Sequence, residues 1–198
     1  DRYRTDAGSV RDLLVCTHGA VDVCCGKFGY PIYQSLRDRY APAVSPDIRV
    51  WRASHFGGHR FAPTMLDLAE GRYWAFLDDA VLRQIVERTG PIDPLLPHYR
   101  GWAGADRAWS QVAEGEAFRR EGWGWLDYAK STTTYRVDDT ERHAEVRIDF
   151  TSADGLVRGA YEATVETAES RPMPLCGERP EETSHEGRQY QITRMDLV

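Results

Sequence analysis

The chain has 198 residues, 41% hydrophobic and 28% charged, enough for one sizeable domain or two small ones with a real core. Its net charge of -6 lacks the basic excess of a nucleic-acid binder. No apolar run approaches the roughly 20 residues of a membrane span.

The opening residues, DRYRTDAGSVRD, alternate in charge and hold no apolar stretch, so they do not read as a signal peptide. The chain begins at Asp1 without Met, which is expected of a sequence with residues missing upstream. Four cysteines, two of them adjacent, lack the look of a disulfide framework. They read instead as thiolates in a reducing, cytoplasmic setting, with Cys24 packed under a loop and Cys176 a free loop thiol.

In chain order, Asp12 to Val15 is an apolar run that predicts a buried strand ending at Cys16. The stretch THGAVDVCCGKFG is rich in glycine and predicts a loop, with Pro31 opening a helix. Ile32, Tyr33, Leu36 and Tyr40 give that helix one apolar face, and APAVSP ends it. DIRVWRA alternates as a second strand and leads to His55, a Gly57-Gly58 turn and His59. Phe61 to Leu68 and Tyr73 to Leu77 predict a hairpin. Asp78 or Asp79 caps a helix carrying Val81, Leu82, Ile85 and Val86 on one face, closed by Gly90-Pro91. The order β-α-β-β-β-α is a thioredoxin-like arrangement.

A second composition begins near Pro94. PLLPHYRGWAG reads as a linker, and Asp106 to Tyr128 has helical spacing broken by Gly122 and Gly124. Ala144 to Phe150 and Val157 to Val165 alternate on either side of a turn and predict an antiparallel hairpin. Strands near Thr133–Val137 and Tyr190–Ile192 flank it. The polar, proline-bearing stretch 168–187 predicts a mobile loop.

The chemistry concentrates in two pairs, Cys16 with Cys25 and His55 with His59. Thiolate and imidazole are ligands shared by zinc and iron–sulfur clusters. Zinc knuckles usually place two cysteines two to four residues apart, whereas eight residues separate these. That wider loop suits a two-iron rhomb. The Cys-x2-His half of a Rieske site and the Cys-x2-Cys of a dithiol redox motif are both missing. Lys27 and Arg60 flank the pairs, and His18 is near enough to support them.

CTHGAVDVCCGKFGYPIYQSLR together with VWRASHFGGHRFAPTML resembles the sucrase/ferredoxin-like family, specifically over about residues 10–90. The resemblance implies a thioredoxin-like [2Fe-2S] ferredoxin with bis-histidine ligation. Its first thiolate maps to Cys16, and its second, directly before a glycine, maps to Cys25 rather than Cys24. Its His-x3-His maps to His55 and His59. Two imidazoles in place of two thiolates remove negative charge and ease reduction. Rieske centres, at about -150 to +300 mV against about -400 mV for plant-type ferredoxins, set the direction. A second titratable N–H on each imidazole predicts a potential that falls as pH rises.

The expected fold is therefore α/β (α+β overall). It comprises a thioredoxin-like ferredoxin domain over 10–93 and a smaller α+β region, a helix then antiparallel strands, over 94–198. The expected function is electron transfer, more that of a carrier than of a stand-alone enzyme. Its partners would be a reductase and an acceptor protein, with a homodimer also open. Two alternatives remain: a reductase of a small oxidant or metal chelate, and a structural zinc module.

Overall fold

The structure, a computed structural model, describes residues 10–20, 23–176 and 178–198. The opening residues discussed above as a non-signal segment lie largely outside them. The fold is mixed α/β, divided into two compact units, Asp1–Arg88 and Thr89–Val198. No helix among the described residues is long and apolar enough to cross a membrane.

In the first unit, strand β1 (Arg11–Cys16) buries Leu13, Val15 and Cys16 completely. Strand β2 (Ile48–Ala53) runs parallel to it, with Cys16 opposite Ala53. Parallel neighbours need a long crossover, and the helical run after Cys16 supplies it. Strands β3 (Met65–Asp67) and β4 (Arg72–Trp74) follow antiparallel, giving the order β2-β1-β3-β4.

Helix α1 (Val23–Ser35) corrects the expected loop. It starts eight residues before Pro31, which lies inside it rather than opening it. Glycine normally costs about 1 kcal/mol in a helix interior, which is why GKFG reads as a loop. Here it permits close packing. A Cβ on Gly29 would stand 2.0 Å from the carbonyl oxygen of Cys16, and one on Gly26 would stand 2.9 Å from Gly19 Cα. Of the expected apolar face, Ile32, Leu36 and Tyr40 are buried, whereas Tyr33 is only half-buried and lies toward the surface. A wide π-type turn, Leu36–Tyr40, and the short helix α2 (Ala41–Val44) carry the chain to β2.

Helix α3 (Asp79–Glu87) buries the four apolar residues anticipated for it. The Asp78 carboxylate accepts from the backbone N–H groups of Ala80 (2.9 Å) and Val81 (3.1 Å). Asp78→Ala should therefore lower the stability of this unit by about 1 kcal/mol in urea denaturation. Asp78→Asn, which keeps an acceptor, should restore most of it. The other end of α3 is held by Arg11, which donates to the carbonyls of Ile85 (3.0 Å) and Val86 (2.9 Å). The same guanidinium donates to the buried carboxylate of Asp67 at 2.8 Å, tying β1, β3 and α3 together.

The second unit holds strand β5 (Tyr99–Trp102), helix α4 (Ala108–Glu121) and a tight 3-10 turn, Gly122–Asp127. Four antiparallel strands follow in sequential order. They are β6 (Ala129–Val137), β7 (His143–Thr151), β8 (Arg158–Pro172) and β9 (Glu186–Leu197). Trp109, Ala113, Ala117 and Phe118 of α4 are buried, as are Val146, Ile148, Tyr161 and Val165 of the sheet. The Glu114 carboxylate is fully buried and accepts from Tyr99 Oη (2.6 Å) and Trp125 Nε1 (2.7 Å).

The predicted loop 168–187 is shorter than expected. Arg171 pairs with Gly187 and Pro172 with Glu186, so both strands run on through polar sequence. Cross-strand pairing sustains them where apolar alternation does not.

Candidate metal centre

Each candidate ligand sits where a regular element meets a turn. Cys16 ends β1, and its N–H donates to Thr64 O at 3.1 Å. The next residue, Thr17, donates to Ala53 O at 3.2 Å. Cys16 is thereby pinned between β2 and the segment before β3. Cys25 lies in the first turn of α1.

His55 follows β2. Gly57 (φ 97°) and Gly58 (φ 75°) adopt left-handed backbone that glycine reaches without strain, and they fold the chain toward His59. The rings of His55 and His59 meet edge to face, 5.6 Å between centroids.

These placements bring together one compact group. Single donor atoms of Cys16, Cys25 and His55 all lie within 4.8 Å of one another, with both cysteines buried. His59 stands beside His55 but outside that group. Cys16 and Cys25 are outside any disulfide. Cys24 and Cys176 are not, which corrects the view of Cys176 as a free loop thiol and of the cysteines as uniformly reduced.

Two buried polar atoms around the group have no hydrogen-bond partner among the described residues, His55 Nδ1 and Thr64 Oγ1. A buried imidazole nitrogen left without a proton donor is costly unless something else takes its lone pair. A metal would do so. Soft thiolates and an imidazole, enclosed together, fit zinc or iron–sulfur chemistry.

His18 also takes part, in keeping with its nearness to the pairs in sequence. The backbone N–H of His55 donates to His18 Nδ1 at 3.4 Å, so His18 holds the start of the His55 turn. The Cys-Thr-His spacing that places it there is the signal that was available. Lys27 and Arg52 lie on the exposed side. Lys27 stands over the Phe28 ring, and Arg52 donates to Thr17 Oγ1 at 3.3 Å.

A β-α-β-β-β-α unit thus brings two buried thiols and an imidazole together in a group that could hold a metal ion. Residues 4–101 match the sucrase/ferredoxin-like family. No curated protein and no solved structure matches the chain.

Proposed function

We propose that the first unit is an electron-transfer module in which Cys16, Cys25, His55 and His59 hold a [2Fe-2S] cluster. The observation that carries this reading is the convergence of Cys16, Cys25 and His55 within 4.8 Å, beside an orphaned imidazole nitrogen. The match of residues 4–101 to the sucrase/ferredoxin-like family supports it. Such a cluster supplies a one-electron couple, and imidazole in place of thiolate makes reduction easier.

The chain's own contributions follow from placement. Cys16 and Cys25, held on a strand end and a helix start, present thiolates from rigid elements. Burial keeps water from both sulfurs. His55 and His59, on a glycine turn, are half-buried and less enclosed than the two sulfurs. On this reading a second N–H on each imidazole would couple electron uptake to proton uptake. A reductase and an acceptor protein are the partners this reading requires.

A single zinc ion is the second reading, because three donors mutually within 4.8 Å also suit one tetrahedral ion. Composition separates the two. Anaerobically purified protein is expected to contain about two irons and two acid-labile sulfides per chain. About one zinc and no sulfide would replace the first reading with the second.

A further inference from the structure

Charge is unevenly distributed along this acidic chain. Residues 16–61, which carry the candidate ligands, hold six Lys or Arg against three Asp, a formal +3, whereas the remainder carries -9. Several of those cations are already neutralised. Arg49 pairs with Asp12 at 2.6 Å, Arg39 with Asp79 at 3.1 Å and Arg37 with Asp38 at 2.5 Å. Lys27 and Arg52 face no carboxylate among the described residues.

These two cations belong to one strip along the surface. Lys27, Tyr30, Tyr33 and Arg37 recur at three- and four-residue intervals, which places them along one face of the helical run. The Tyr30 and Tyr33 rings are 6.1 Å apart. Arg52, from the neighbouring β2, stacks over Tyr30 at 5.3 Å, and Arg37 stacks over Tyr33 at 5.0 Å. Cation–aromatic contacts of this kind hold long side chains in place at a surface. The strip begins two residues after Cys25, and through Arg52 and Thr17 it reaches the residue after Cys16.

We propose that this cation–aromatic strip is the docking surface for an acidic redox protein. The inference rests on the electron-transfer reading and assigns the sign of its partner. Overall charge alone would suggest a basic partner, but local charge beside the centre governs the docked orientation. Phe28 and Tyr30, exposed among the cations, supply the apolar contact that such an interface needs at its middle.

The test is direct binding of the full chain to a strongly acidic plant-type [2Fe-2S] ferredoxin, with basic cytochrome c as the opposite-charge probe. Ferredoxin is expected to bind the tighter of the two. Its affinity should fall more than about tenfold as the Debye length shrinks from about 30 Å at 0.01 M salt to about 8 Å at 0.15 M. Lys27→Glu/Arg52→Glu should weaken it by about tenfold or more. Arg158→Glu/Arg171→Glu, an equal charge change on exposed residues of the other unit, should stay within about twofold. No ferredoxin binding at low salt, tighter binding of cytochrome c, or equal losses in the two double variants would overturn the proposal. Repeating the binding with Cys25→Ser separates the two inferences. Iron and sulfide content decides the cluster reading, and the ratio between double variants decides the surface.

Discussion

Cys25→Ser is expected to reduce metal loading of the folded protein by more than about tenfold, while Cys24→Ser leaves it close to wild type. Groups that merely orient metal ligands are worth about 10–100-fold in affinity, so removing a ligand should cost at least as much. The two cysteines are adjacent in sequence and both buried, but only Cys25 joins Cys16 and His55. Successive residues on a helix point about 100° apart, so at most one of the pair can face the strand end. Metal content per folded chain, normalised by circular dichroism, is the measurement. Loss of metal in Cys24→Ser with retention in Cys25→Ser would reverse the ligand assignment. His59→Ala adds a further distinction. A two-iron cluster needs His59 as its fourth ligand and should be lost. A zinc ion on Cys16, Cys25 and His55 would largely remain.

The second large effect belongs to Gly29→Ala. The added Cβ would sit 2.0 Å from Cys16 O and 3.2 Å from Cys16 C, both backbone atoms of the central strand. Neither can swing aside as a side chain would. Helix α1 must retreat from β1, and with it Cys25 from Cys16. The expected result is a stability loss of about 3 kcal/mol or more, at the upper end of overpacking costs, together with loss of metal loading. Gly115→Ala is the control. Gly115 also lies inside a helix, but its Cβ would meet Tyr99 at an ordinary 3.8 Å. Without a clash, alanine's helical preference should make that change neutral or stabilising by about 0.5–1 kcal/mol. A Gly29→Ala protein as stable as wild type would mean that α1 and β1 are not in such close contact.

Much of the fold was legible because its periodicities are strong. Leu13 and Val15 announced a buried strand, the apolar residues of α3 fell on one face, and Ala144 to Phe150 alternated as a half-buried strand should. The misreadings share a cause. Helix α1 looked like a loop because glycine lowers helix propensity locally, and the clash with Cys16 O that calls for glycine arises only once strand and helix are packed. The far halves of β8 and β9 looked like a mobile polar loop because strands paired chiefly to each other need no apolar alternation.

The candidate site divides along the same line. From sequence alone came the donor types, the short spacing within each pair, the Gly57-Gly58 turn and the family resemblance, all encoded by residues close together in the chain. Tertiary structure decided which donors meet. Cys16, Cys25 and His55 lie on a strand end, a helix start and the turn after another strand, and only their packing brings them within 4.8 Å. It also left His59 beside the group rather than within it and set an exposed cationic strip next to a centre in an acidic chain. Spacing along the chain governs what a turn can do. Distances between elements depend on how backbones pack, and here that packing hinges on a glycine whose role becomes visible only against the carbonyl of Cys16.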